Sequence, residues 1–325
     1  MRVRRWVFLL LGLPALAWAD GVPSDPLSLL QQMARAAHEQ GYQGTFVTQR
    51  GGDMQASHVI HAKIDGDEET RVNVLDGQPH EIIRVRQMTR CYYPMQRKVR
   101  VESDYRRQLF PALIEAPYGH YLDFYEVSER GLDRVAGLEC RKIFFHARDR
   151  ERFDHEFCAE TQTGLILRAV TFDQQGGALE TVQFTDIERG IHPRAEVFKP
   201  AYRDLAAWQT VHFPALEAVE APLPIGIGFV PTGFSKILEM TLKPRPDQPN
   251  LHHWVYSDGL SSFSVFVRSE AQGEPGHPVA RTLKSALSYY AVSLPQYHVV
   301  VLGDVPQATV VAIGQSIFIT EDHRP

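Results

Sequence analysis

Little in this sequence points to covalent chemistry. Its 325 residues include three cysteines, too few for a disulfide-built scaffold. No Cys-x-x-Cys, His-Glu-x-x-His, Gly-x-Ser-x-Gly or phosphate-cradling glycine loop occurs, so the common signatures of redox, zinc, serine-hydrolase and nucleotide enzymes are missing. Past the N-terminus no stretch reaches about 18 apolar residues, the length that reads as a membrane helix. Positive charge is in deficit, 34 Lys and Arg against 39 Asp and Glu. The charge balance argues against bulk-charge binding to DNA or RNA and leaves room only for a local basic patch, so no nucleic-acid partner is expected. What is present is ordinary globular material, 44% hydrophobic and 22% charged, at a length that favours two domains.

The N-terminus has the pattern of an export signal. Arg2, Arg4 and Arg5 precede an apolar run from Trp6 to Leu13, and Ala17-Trp18-Ala19 forms a small-x-small cleavage site before Asp20. That predicts a signal peptide over 1–19 and an exported, periplasmic mature chain. The run is too short to span the bilayer. No Cys follows the cleavage site, which argues against lipoprotein attachment. Three Arg and no acid lie in 1–19, so the mature chain carries −8. Cys140 and Cys158 flank the polar turn Arg148–Arg152; paired flanking strands would bring them within disulfide reach, and two buried thiols fit equally well. Cys91 has no adjacent Lys or His to make a thiolate and reads as a packed residue.

The periodicity predicts an α+β chain. Ser24-Asp25-Pro26 opens an amphipathic helix with Leu27, Leu30, Met33, Ala34 and Ala37 at three- and four-residue spacing, ended at Gly41. Strands of period two then follow at about ten-residue spacing, separated by Gly51-Gly52, Asp65-Gly66 and Asp76-Gly77, an antiparallel meander. Residues 105–126 interrupt it with a dense aromatic segment. Residues 20–195 form this first domain, and 196–228 a Pro-rich linker, open to partial packing. Residues 229–325 form a smaller domain of two hairpins and a last helix that carries Val310, Ile313, Ile317 and Phe318.

Candidate chemistry is confined to surfaces. His58 with His61, and His252 with His253, fall on opposite strand faces, so no metal site is expected. Asp65, Asp67, Glu68 and Glu69 lack a calcium ladder and read as a charged hairpin tip. Aromatics are plentiful enough to line an apolar groove or to form core. Eight cations, Arg84 to Arg107, gather in 24 residues against Glu102 and Asp104, which would suit phosphate or an acidic peptide, or a solvated strand face.

Particular segments carry a family likeness. Gly41-Tyr42-Gln43-Gly44-Thr45-Phe46-Val47, Leu75-Asp76-Gly77-Gln78-Pro79-His80, Cys91-Tyr92-Tyr93-Pro94 and Val230-Pro231-Thr232-Gly233-Phe234 occur in order, followed by Gly303-Asp304-Val305-Pro306-Gln307-Ala308. In these the chain resembles the MucB/RseB family. The resemblance implies a curved, lipoprotein-carrier-like (LolA-like) half-barrel covered by helices, joined to a small antiparallel sheet with one helix. It implies a regulator, not an enzyme, with no cofactor. Its partner would be the periplasmic part of a single-span anti-sigma factor of the RseA/MucA type, shielded from site-one proteolysis and released by a lipid or lipopolysaccharide signal. Candidate lipid contacts are Phe46, Tyr93, Tyr121 and Phe124, with Arg97, Lys98 and Arg100 for head-group charge; candidate partner contacts are Phe234, Trp254 and Phe263. Self-association stays open, as do a lipoprotein or lipid carrier and an enzyme with an unfamiliar site.

Overall fold

The computed structural model describes residues 25–320 apart from 87, 104–108, 214–222, 243–248, 270–277 and 283–285. The signal segment 1–19, Arg106 and Arg107 of the basic stretch, and the last five residues lie outside the described residues. The first domain starts with α1 (Pro26–Glu39), capped by Asp25, whose carboxylate accepts from the Ser28 amide. Eleven strands follow: β1 (Tyr42–Arg50), β2 (Asp53–Ile64), β3 (Asp67–Val74), β4 (Glu81–Val85), β5 (Met88–Tyr93), β6 (Lys98–Ser103), β7 (Tyr125–Val135), β8 (Leu138–Ala147), β9 (Asp154–Glu160), β10 (Ile166–Phe172) and β11 (Ala178–Arg189). A short helix, α2 (Gly119–Phe124), precedes β7.

With β12 (Gln209–Phe213) these strands form one twelve-stranded sheet, ordered β12-β6-β5-β4-β3-β2-β1-β11-β10-β9-β8-β7. The predicted Asp65-Gly66 turn joins β2 to β3, both residues at positive φ (52° and 90°), the geometry a two-residue hairpin demands. The sheet curls far enough that β7, at its edge, comes back near β11. The hollow is filled by α1, whose Leu30 and Met33 are fully buried, and by Phe46, Phe110, Phe184 and Leu167.

The second domain holds β13 (Ile225–Ile227), β14 (Ser235–Leu242), β15 (Leu251–Ser257), β16 (Ser262–Ser269), β17 (Val279–Thr282), β18 (Ser288–Leu294), β19 (Tyr297–Gly303), α3 (Gln307–Gln315) and β20 (Ile317–Ile319). Six strands pair in the order β14-β15-β16-β19-β18-β17, and β13 pairs with β20 as a ribbon. α3 covers one face, where Val265, Val299, Val301, Val310 and Ile313 are wholly buried. The last helix is shorter than its periodicity predicts: it stops at Ser316, and Ile317 and Phe318 continue as strand opposite Ile227 and Gly226.

Among the described residues, the first part of the stretch read as a linker packs on the first domain. Tyr202, Leu205 and Trp208 cover Ile83, Tyr92, Val99 and Val101 on the outer face of the sheet, and β12 runs parallel to β6. The buried Glu81 carboxylate anchors it, taking the Ala201 amide at 3.3 Å and Arg71 at 2.5 Å, while Arg71 also reaches the Val197 carbonyl.

Candidate functional site

Register decides which predicted residues share a face. Phe46 is opposite Ser57, Ser57 opposite Val74, and Tyr93 opposite Lys98, with Arg100 two residues along β6. Phe46, Tyr93, Lys98 and Arg100 therefore lie on the inner, α1-bearing face. Phe46 is core: its ring meets Phe110 at 5.3 Å and Phe184 at 6.1 Å. Tyr93 is half-buried at the rim, stacked on His80, and lines a cleft of about 270 Å³ with Gln55, Gln78, Pro79, Met95 and Gln96. Lys98 is partly exposed beside it, and Arg100 pairs with Glu102 at 2.8 Å. Arg97 occupies the turn before β6 at φ 46°, exposed. The basic stretch does not form one patch. Arg90 is opposite Val101 on the outer face, and Arg86 pairs with Asp67 at 2.7 Å.

A polar cluster that periodicity does not reveal lies on the inner face near the end of α1. His38 Nδ1 is 2.7 Å from Glu68, and His61 stacks on Tyr42 at 4.8 Å while bonding Thr70. Burial favours neutral His61, and the contact with His38 holds the Glu68 carboxyl below its usual range despite burial. His58, as predicted from spacing, is on the other face, opposite Thr45. Cys140 and Cys158, on β8 and β9, are joined at 2.09 Å, Cα atoms 5.3 Å apart.

Tyr121 and Phe124 belong to the junction between the domains. Tyr121 is buried, its hydroxyl taking the Glu115 amide at 3.1 Å, and burial pushes its pKa up to about 12. Gly259 of the second domain lies against the Tyr121 ring, and Gly233 against Phe124. A Cβ at either glycine would come within 2.8 Å of a ring atom, so the close approach needs glycine at both. Between them Arg152, with no exposed side-chain surface, donates to Asp258 at 2.6 Å and to the Thr232 carbonyl at 2.5 Å. Asp149 holds its Nε at 3.0 Å, and Phe124 and Phe234 flank the guanidinium at 4.8 and 5.0 Å. Tyr125 donates to Asp258 at 3.0 Å; burial, and then the Asp258 charge, keep that phenol protonated. His120 bonds the Gly233 carbonyl at 3.0 Å, and Thr309 donates to the Glu151 carbonyl at 3.1 Å.

Phe234, Trp254 and Phe263 come together but are not on display. All three are buried in the second domain, Phe234 5.4 Å from Phe263, and Trp254 donating to Glu239 at 3.0 Å. The β15–β16 hairpin turns the face that bears Trp254 and Phe263 inward toward α3, because Val265 and Val267 on that face need the same cover. Sequence reasoning gave no role to Arg152 and Asp258, which sit in polar turns that read as solvent-exposed, and counted Tyr125 only among the aromatics available for groove or core.

Residues 25–202 match the model of the MucB/RseB N-terminal domain, and 225–318 that of the C-terminal domain. Among curated proteins the chain is 26% identical to the sigma-E factor regulatory protein RseB of Salmonella typhimurium, covering 96% of this chain and 97% of that protein. It is 28% identical to the sigma factor AlgU regulatory protein MucB of Pseudomonas aeruginosa, covering 90% and 91%. Among solved structures it superposes on the MucA/MucB complex of Pseudomonas aeruginosa with a TM-score of 0.74, at 23% identity over 91% of this chain and 99% of that one. Against MucB alone the TM-score is 0.62 at 24% identity, over 90% and 98%. The same two domains in the same order, over nearly the full length of those relatives, place this chain in the MucB/RseB family.

Proposed function

We propose that this protein is a periplasmic regulator that binds the periplasmic segment of a membrane-spanning anti-sigma factor and shields it from the first proteolytic cut, holding an envelope-stress sigma factor inactive. The observation that carries the reading is the family match of both domains in order, 25–202 and 225–318. Relatives are named as sigma factor regulatory proteins, and one was solved with MucA. Binding of this kind needs no group that makes or breaks bonds. Phe234, Trp254 and Phe263 would support the partner surface from beneath.

A lipid or lipopolysaccharide is the proposed release signal, received at the inner-face cleft beside Tyr93 with Arg97, Lys98 and Arg100 at its rim, Phe46 in the core beneath, and Tyr121 and Phe124 at the domain junction passing the change on. A ligand that prefers the partner-free form lowers partner affinity by the same factor by which the partner lowers its own, and about 1–3 kcal/mol suffices for a switch. The test is cleavage of the anti-sigma periplasmic segment by its site-one protease with and without this protein. Slower cleavage, restored by added lipopolysaccharide, is expected; an unchanged rate overturns the proposal. Recovery of lipoproteins in place of an anti-sigma factor from envelope extract would favour the carrier reading.

A further inference from the structure

Arg152 belongs to the first domain and Asp258 to the second, and neither side chain touches solvent. Water cannot screen such a pair, so parting it leaves two charges to be rehydrated. Their other partners are also committed. One oxygen of Asp258 takes Arg152 and the Tyr125 hydroxyl, and the other holds the Leu260 and Ser261 amides at 2.9 and 2.7 Å. The guanidinium gives further donors to Asp149 and to the Thr232 carbonyl. Arg152 thus has all these bonds only while the domains touch in this one orientation. A buried ion pair adds less stability than an apolar contact of equal size, but it is far less tolerant of misplacement.

We propose that Arg152 and Asp258 form an interdomain latch that selects this single arrangement of the two domains and opens as a unit when they part. The rings of Phe124 and Phe234, both against the guanidinium, connect the latch to α2 in one domain and to the segment before β14 in the other. Any displacement of α2 therefore reaches Asp258 through one side chain. The latch goes beyond the regulatory reading and holds whatever ligand the protein carries.

The test uses the full chain with Cys91→Ser and spin labels at Met95 and Ile237, which are 76% and 57% exposed, one on each domain. The unaltered latch should give one narrow distance distribution. Arg152→Met and Asp258→Asn should each at least double its width. In Arg152→Met the Leu260 and Ser261 amides should exchange at least tenfold faster, while Ile143 and Val265, in the two cores, keep their protection. The paired change Arg152→Met/Asp258→Asn, which removes both charges but keeps an oxygen for the Leu260 and Ser261 amides, should melt within a few degrees of the parent yet keep the broad distribution. A folded Arg152→Met with parental width and parental exchange at Leu260 and Ser261 overturns the latch. If the single variants do not fold, the paired variant decides, and a narrow distribution there overturns it equally.

Discussion

Buried polar side chains carry the most specific consequences at the residue scale. His155 packs between Phe157 and Tyr125 near the domain junction, and burial lowers its pKa to about 4. The folded state keeps the ring neutral, whereas an unfolded chain takes up a proton near 6.5. Stability from this residue is thus complete above pH 6.5 and is lost as pH falls toward 4, by about 3 kcal/mol. Urea midpoints at pH 7 and pH 4.5 should show the loss, and His155→Phe should shrink it. His253, pushed to about 4 by burial, contributes in the same direction. In the apolar core, Leu30→Ala should cost about 3 kcal/mol in the same assay, since the side chain is fully buried beneath the sheet. Such positions were legible from helical spacing. Arg152 was not: in the run Arg148–Arg152 it looks like its neighbours, and only the facing Asp258 from 106 residues away gives it a buried role.

At the scale of elements, caps and turns are local and were largely readable, whereas the Cys140–Cys158 staple was left open between a bond and two buried thiols. Asp25→Ala should lower stability by about 1 kcal/mol, because the Ser28 amide loses its acceptor at the start of α1. The Cys140–Cys158 bond closes a separation of 18 residues, and replacing both by Ala should cost about 3 kcal/mol on the chain-entropy argument; a thermal melt with and without reductant gives the same comparison. Where element reading failed, edges were the cause. β7 is the terminal strand of the sheet, its register shifts between Glu129 and Leu132, and Glu126, Glu129, Arg130 and Arg134 are exposed along it. Charged, bulged edges protect a sheet from unwanted pairing, and they erase the period-two signal. The end of α3 was misplaced for a related reason, since Ile317 is apolar in either helix or strand and its pairing with Ile227 decides which.

For the molecule as a whole, the connection between domains matters most. Residues 195–213 form part of the first domain's outer layer, with Tyr202 and Trp208 against Ile83 and Tyr92. Trp208→Ala should therefore lower the urea midpoint by the equivalent of about 2 kcal/mol, where a loose linker would show no change.

The sequence alone determined the local matters: α1 and its cap, the glycine turns that pace the meander, the two-domain order, and the absence of familiar catalytic motifs. These depend on neighbours a few residues apart, whose spacing is written in the chain. Tertiary structure alone decided that the aromatics Phe46 and Tyr121 are buried, that residues 195–213 form a packed layer, and that Arg152 meets Asp258. Each depends on residues far apart in sequence brought together by strand register and domain contact, and a charge in a turn reads the same whether water or a second domain lies beyond it.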